Sequence, residues 1–101
     1  MAKAKAFDAA EYLDSPEAIA AYLSDAFETG DDDFITQAIG TVARIKGMSD
    51  VAKEAGVSRE NLYRALKAGV KPEFATVMKV LGALDVRLVA KPKENAPAKA
   101  A

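Results

Sequence analysis

Apolar residues recur along most of this chain at the spacing of amphipathic helices. The first stripe consists of Ile19, Tyr22, Leu23, Ala26 and Phe27, which follow the i, i+3, i+4, i+7 and i+8 positions of one helix face. Ser15 and Pro16 precede it, and a capping serine followed by a proline in the first turn is a typical helix start. The pattern therefore predicts a helix over residues 16–28.

A second stripe predicts a helix over residues 33–46. Its apolar positions are Phe34, Ile35, Ala38, Ile39, Val42 and Ile45. The aspartates at 31–33 can cap this helix and place negative charge beside the partial positive charge of its N-terminus. Gly47 suits its C-terminal end, because glycine tolerates the backbone conformations that end a helix.

Three more helices are predicted. Two short ones, at 49–55 and 59–67, are separated by only three residues, and a serine at the start of each, Ser49 and Ser58, is expected to cap it. A last apolar stripe predicts a helix that opens at Lys71-Pro72-Glu73 and ends near residue 84.

The segment Val-Arg-Leu-Val-Ala at 86–90 is β-branched and partly alternating, which is typical of one strand. Since the chain offers no second strand, we expect this segment either to pair with its copy across a two-fold axis or to pack as an extended tail on its own domain. Residues 91–101 are predicted to be a disordered tail, and residues 1–14 an N-terminal arm with a helical turn at 8–13. The predicted domain is 15–90.

The composition narrows the possible functions. The chain has no cysteine and no histidine, which argues against disulfides, against a zinc site and against proton transfer near neutral pH. It also has no glycine-rich phosphate loop and no apolar run of the roughly 18 residues that could cross a membrane. We therefore expect a cytoplasmic protein that is not an enzyme and binds neither a cofactor nor a metal.

The net charge of −1 conceals a strong asymmetry along the chain. Residues 1–33 contain nine acids and two lysines, a net charge of −7, whereas residues 34–101 contain twelve lysines or arginines and six acids, a net charge of +6. Such polarity indicates an acidic part and a basic part with different partners.

The segment 48–67 has the pattern of a helix-turn-helix. Two helices that cross steeply need a small residue where they touch and a residue that tolerates positive φ in the turn, and Ala52 and Gly56 stand in those places. The apolar side chains needed between the helices are Val51, Ala55, Val57, Leu62 and Ala65. An ordinary pair of helices with a charged outer face is the alternative, and the basic charge of the region favours DNA binding.

The helix predicted at 59–67 would lie in the major groove of DNA. Arg59 and Arg64 can each bond guanine through two donors, and Asn61 can bond adenine in the same way. Glu60 can accept from a cytosine amino group or pair with Arg64 one turn further on, and Tyr63 can touch a thymine methyl group or a phosphate. The phosphate contacts are expected from Lys46, Ser58, Lys67 and Lys71.

The order of the helices resembles the lambda-repressor or Cro-type fold, and the sequence is similar to the HigA-like addiction-module antidote proteins over residues 7–90. The resemblance is carried by FDAAEYL at 7–13, VSRENLYRAL at 57–66 and VMKVLGAL at 77–84. It implies an all-α domain that dimerises, binds the promoter of its own operon and neutralises a small basic toxin of the RelE, ParE or HigB type. Asp85 departs from the family pattern, which often has glycine there, and the linker at 69–72 is shorter than usual.

The resemblance also implies a partner for the acidic part of the chain. A toxin that binds RNA must be basic, so charge complementarity predicts that it meets the acidic N-terminal third. The acids expected to contact it are Asp25, Glu28, Asp31, Asp32 and Asp33.

Two other functions fit the residues. A stand-alone phage-type repressor would share the DNA contacts but lack a toxin, and a neighbouring gene for a small basic protein would distinguish the two. A small helical protein-interaction module would have a basic face that is only solvated, and would show no salt-dependent binding to duplex DNA.

Overall fold

The structure is a computed structural model that describes residues 12–94. This part of the chain contains five α-helices and no strand. The helices are α1 Pro16–Glu28, α2 Asp32–Lys46, α3 Met48–Ala55, α4 Arg59–Ala65 and α5 Phe74–Ala83. The predicted all-α class and the five predicted helices are confirmed.

The short helix α3 lies at the centre of the domain. It packs against α2, α4 and α5, while α1 packs against α2. The largest fully buried side chains come from the four helices that meet here and from the residue that follows α5. They are Ile39, Val42, Val51, Leu62, Val80, Leu81 and Leu84. These residues belong to one continuous core, to which α4 is joined through its packing against α3.

Local side chains explain where the first two helices begin. The Ser15 hydroxyl accepts a hydrogen bond from the Ala18 N–H at 3.1 Å. The Asp31 carboxylate accepts from the N–H groups of Asp33 and Phe34 at 3.1 and 3.2 Å. Each cap satisfies amide groups that have no partner within the helix, so both predicted starts are confirmed within one residue.

The predicted serine cap of α3 is wrong. This helix begins at Met48, one residue before Ser49, and its N-cap is Gly47, which makes no side-chain hydrogen bond. Gly47 has a φ of +112°, and it serves as the C-cap of α2 and the N-cap of α3 at once. Because one residue joins the two helices, Ser49 falls inside α3 and cannot cap it.

Two predicted helices are longer than the observed ones. The helix α4 ends at Ala65, because Leu66 leaves the helical conformation at φ −100° and ψ 13°, so Lys67 lies in the following turn. The helix α5 begins at Phe74, because Glu73 is extended at φ −66° and ψ 146°. Lys71 and Pro72 therefore belong to the connecting segment.

The predicted strand at 86–90 does not form in the described chain. A strand needs a hydrogen-bonded neighbour, and residues 12–94 supply none. Val86 and Leu88 instead pack against the core as half-buried side chains, in agreement with the alternative of a tail on its own domain. The predicted turn at 8–13 falls almost wholly outside the described residues, as does the tail beyond residue 94.

None of the described helices is both long enough and apolar enough to span a membrane.

Asp85 ends α5 in a conformation that glycine adopts more readily. Its φ is +64°, and no other non-glycine residue in the described chain has a positive φ. The Asp85 N–H donates to the Gly82 carbonyl at 3.1 Å, and the Val86 N–H donates to the Leu81 carbonyl at 3.0 Å. These are the two bonds of a Schellman motif, in which the left-handed residue allows the chain to turn back on the helix.

We expect Asp85→Gly to be more stable than Asp85→Ala by about 1 kcal/mol, because only alanine retains a Cβ that clashes in the left-handed region. Both variants lose the ion pair that Asp85 forms with Lys46 at 3.5 Å, so their difference isolates the backbone effect. Thermal unfolding should place the two midpoints about 4 to 8 °C apart. Equal midpoints would show that Asp85 is not strained.

Candidate nucleic-acid interface

The helices α3 and α4 form a compact unit around the turn at 56–58. Gly56 is left-handed at φ +76°, and the Val57 N–H donates to the Ala52 carbonyl at 3.0 Å. Val51, Ala52 and Leu62 are buried in the core, and α3 packs against α4. The structure thus places Gly56 in the turn, as the spacing predicted, and the three-residue turn joins the two helices.

The helix α4 is attached through one side and exposed on the others. Leu62 is the only buried residue among its seven, and Ala65 is half-buried. The exposed residues include all five predicted base-reading positions. They are Arg59, Glu60, Asn61, Tyr63 and Arg64.

The exposed side chains of α4 are partly ordered by each other. The Arg59 guanidinium lies 5.3 Å from the centre of the Tyr63 ring and donates to its hydroxyl at 3.3 Å. The Arg64 guanidinium donates to the Asn61 amide oxygen at 2.8 Å. The alternative ion pair between Glu60 and Arg64 does not form in the described chain. Arginine donors are therefore held on this surface by neutral partners, so the positive charge stays uncompensated.

Ser58 caps this helix. Its hydroxyl oxygen accepts from the Asn61 N–H at 3.0 Å, so the predicted cap is confirmed. The hydroxyl retains its own proton as a donor, and it stands at the end of α4 where Arg59 begins.

Two of the predicted phosphate-binding lysines are already paired. The Lys46 ammonium lies 3.5 Å from Asp85. The Lys71 ammonium lies 3.3 Å from Asp32 and 3.4 Å from Asp33. These contacts join the loop before α5 to the start of α2. The hydrogen bond and the charge of Asp32, with a smaller effect of Asp33, raise the pKa of Lys71, so it stays protonated well into the alkaline range. Lys67 has no such partner in the described chain and keeps a free charge beside α4.

The predicted toxin-binding acids divide into two groups. Asp31, Asp32 and Asp33 lie together at the start of α2, where the first caps the helix and the other two bind Lys71. Asp25 and Glu28 are exposed on α1 and form no ion pair in the described chain. All five are exposed, but only the pair on α1 is free of an internal role.

The sequence interpretation missed a groove of about 660 Å³ between α2 and the end of α4. Its α2 side presents Gln37, Thr41 and Arg44, none of which was assigned a functional role. Arg44 lies in the last turn of α2. The sequence places Arg44 four residues after Gly40, on the same face of the helix. It does not show that α4 approaches this face.

The chain is similar to known proteins. A family model described as probable addiction module antidote protein matches residues 3–92. The chain is similar to an uncharacterized protein of Haemophilus influenzae, with 46% identity over 83 residues that cover 82% of this chain and 86% of the relative. No solved structure matches the chain significantly.

Proposed function

The chain belongs to the family of probable addiction module antidote proteins, and from this premise we propose that it is a DNA-binding antitoxin that represses its own operon. An antidote implies a toxin partner in general, and the family suggests a regulatory protein rather than an enzyme. The two partners that we propose are a toxin of the RelE, ParE or HigB type and duplex DNA.

The observation that carries the DNA proposal is the exposed face of α4. The helix buries only Leu62, yet presents two arginines, one asparagine and one tyrosine to solvent beside the free Lys67. Arginine and asparagine are the side chains that bond guanine and adenine edges in the major groove, and the solvated face of an ordinary helix is the alternative that the DNA-binding experiment tests. We propose that α3 and α4 act as a helix-turn-helix of the lambda-repressor type, with α4 in the major groove.

The roles of individual side chains follow from their chemistry. We assign guanine contacts to Arg59 and Arg64, and an adenine contact to Asn61, for which the Arg64–Asn61 hydrogen bond must open or be shared with the base. Glu60 forms no hydrogen bond or ion pair in the described chain, which leaves its carboxylate available to a cytosine amino group. Tyr63 lies beside Arg59 and can touch a thymine methyl group or a phosphate.

Ser58 and Lys67 are the better supported phosphate contacts. Lys46 and Lys71 are retained as weaker ones, because each must share its charge with carboxylates of its own chain. Phosphate contacts add affinity and fix the register of the helix on the duplex, but carry no direct sequence information.

Lys67→Gln is expected to weaken duplex binding about eightfold at 0.1 M salt, because each phosphate contact adds about 0.9 to the salt slope. Lys71→Gln should change the affinity less, since Asp32 and Asp33 already balance the charge that is removed. Fluorescence anisotropy with a labelled duplex measures both variants. An equal loss for the two would contradict this ranking.

The DNA proposal is tested with the promoter region upstream of the chain's own gene. A gel shift and an anisotropy titration should show saturable binding that weakens as salt increases, and tighter binding to the promoter than to an unrelated duplex. Absence of any shift at low salt would refute it.

The toxin proposal rests on family membership and on the acidic face of α1. We propose that Asp25 and Glu28 contact the toxin, with Asp31 to Asp33 as weaker contributors because they have internal roles. Co-expression with the product of the adjacent gene, followed by purification through a tag on one partner, tests whether a complex forms.

The double variant Asp25→Lys with Glu28→Lys is expected to weaken that complex about tenfold, because two exposed attractive charges become repulsive. The control is Asp50→Lys with Glu54→Lys, an equal charge change at exposed positions of α3. Isothermal titration calorimetry measures both. An equal loss in the two double variants would indicate an effect of net charge and no specific role for α1.

We also propose a homodimer. The segment 86–90 has no strand to pair with among residues 12–94, and Val89 is exposed, which supports pairing with the same segment of a second copy. Light scattering coupled to gel filtration should give twice the monomer mass, and Val89→Pro should give the monomer, because proline cannot donate a ladder hydrogen bond.

A further inference from the structure

The groove between α2 and the end of α4 has a lining of one sign of charge. Arg44 approaches from α2, and Arg64 and Lys67 approach from the other side, with no carboxylate among the lining residues. The remaining polar groups that line it are Gln37, Thr41 and Tyr63. A concave surface that brings three cations together without an acid has a positive potential and favours an anion.

The charges of these cations are not used within the chain. The side chains of Arg44 and Lys67 form no ion pair or hydrogen bond in the described residues, and the Arg64 side chain donates only to the neutral Asn61 amide. Lys46, two positions after Arg44 on the same helix, is by contrast bound to Asp85. The chain therefore balances the lysine outside the groove and leaves the cations inside it unbalanced.

Arg44 lies beside Gly40, where α2 comes close to the end of α4. Gly40 is buried in the middle of α2, and a Cβ built on it would lie 3.4 and 3.6 Å from the two terminal nitrogens of Arg44. The same position is 3.5 Å from the Leu66 carbonyl at the end of α4. A Cβ at these distances would be in ordinary van der Waals contact, so the distances show only that the guanidinium lies against α2 near the end of α4.

We propose that this groove holds a backbone phosphate of the bound duplex, with Arg44 as its principal ligand on α2 and Lys67 on the opposite side. Arg64 adds positive charge to the groove but keeps its assignment to guanine. The inference rests on the proposed DNA binding and extends it to a second helix. A guanidinium presents a planar pair of donors that fits a phosphate, and the five donors of Arg44 are unoccupied in the described chain. Because the ligand is the backbone, this contact adds affinity for any duplex and no preference for a base.

Arg44→Gln tests the proposal. The variant should bind the promoter duplex and an unrelated duplex about eightfold more weakly than the wild type at 0.1 M salt, and the slope of log affinity against log salt should fall by about 0.9 for both. Lys79→Gln is the matched control, because Lys79 is exposed on α5, forms no ion pair in the described chain and does not line the groove. Thermal unfolding of both variants verifies that they remain folded.

The outcomes separate the inference from the function on which it rests. Loss in Arg44→Gln but not in Lys79→Gln, equal for both duplexes, supports the phosphate site. Unchanged duplex binding in Arg44→Gln overturns the site while the wild type's binding keeps the proposed function, and saturable binding of inorganic phosphate in that case would assign the groove to a free anion. A wild type that binds no duplex at low salt overturns both.

Discussion

Leu62→Ala is expected to lower the free energy of unfolding by about 2 to 5 kcal/mol, the largest effect of any single truncation in α4. Leu62 is fully buried and is the only buried side chain of this helix. Truncation removes its apolar contacts and leaves a cavity between α3 and α4, where neighbouring helices limit collapse. A small domain has little stability to spare, so much of the chain should unfold under mild conditions.

Urea unfolding followed by circular dichroism measures this change. Leu88→Ala is the matched control, since Leu88 loses the same atoms but is only half-buried at the edge of the core. We expect it to cost about 1 kcal/mol. If the two variants unfolded at the same urea concentration, Leu62 would not anchor α4, and the direction of its exposed face would need another explanation.

The helices could be predicted because their causes are local. Ser15 and Asp31 cap helices through atoms two or three residues away, and Gly56 turns the chain by its own backbone freedom. The exposed face of α4 was predictable for the same reason, because the period of a helix places Leu62 and the polar residues on different sides. Most of the candidate interface therefore lies within ten consecutive residues of the sequence.

Features that depend on distant segments could not be predicted. Lys71 was predicted to bind phosphate, but its charge is shared with two aspartates nearly forty residues earlier in the chain. Arg44 was passed over because its importance arises from the approach of α4 to α2 at Gly40. The interactions of both residues depend on how helices pack, which the spacing of apolar residues does not specify.

The boundary errors have a common physical origin. Gly47 links α2 to α3 so closely that Ser49, a sensible cap by type, is displaced into the helix. The segment at 86–90 has the residues of a strand, but a strand is a property of two segments and the described chain contains one. Residue type therefore indicated which positions could cap a helix or form a strand. The neighbouring segments decided whether they did so.

Arg59→Ala is expected to lower affinity for the promoter about 10- to 100-fold while changing binding to an unrelated duplex far less. A bidentate arginine contact with guanine contributes about 1 to 3 kcal/mol of discrimination, and this term exists only at the right base. Arg59 is suited to this role because it is exposed at the start of α4 and does not line the groove that holds Arg44. Its contact with the Tyr63 ring also limits the positions that its guanidinium can adopt before DNA arrives.

Arg59→Lys separates charge from geometry. Lysine keeps the positive charge and therefore the general attraction to the backbone, but it cannot offer two fixed donors to one guanine. Anisotropy titrations on both duplexes should give a fallen ratio of promoter to unrelated affinity in both Arg59 variants, and a retained ratio at lower affinity in Arg44→Gln. A ratio that stayed at the wild-type value in Arg59→Ala would remove Arg59 from base recognition, and a ratio restored by lysine would reduce its role to charge, leaving Arg64 and Asn61 as the base-reading residues to test.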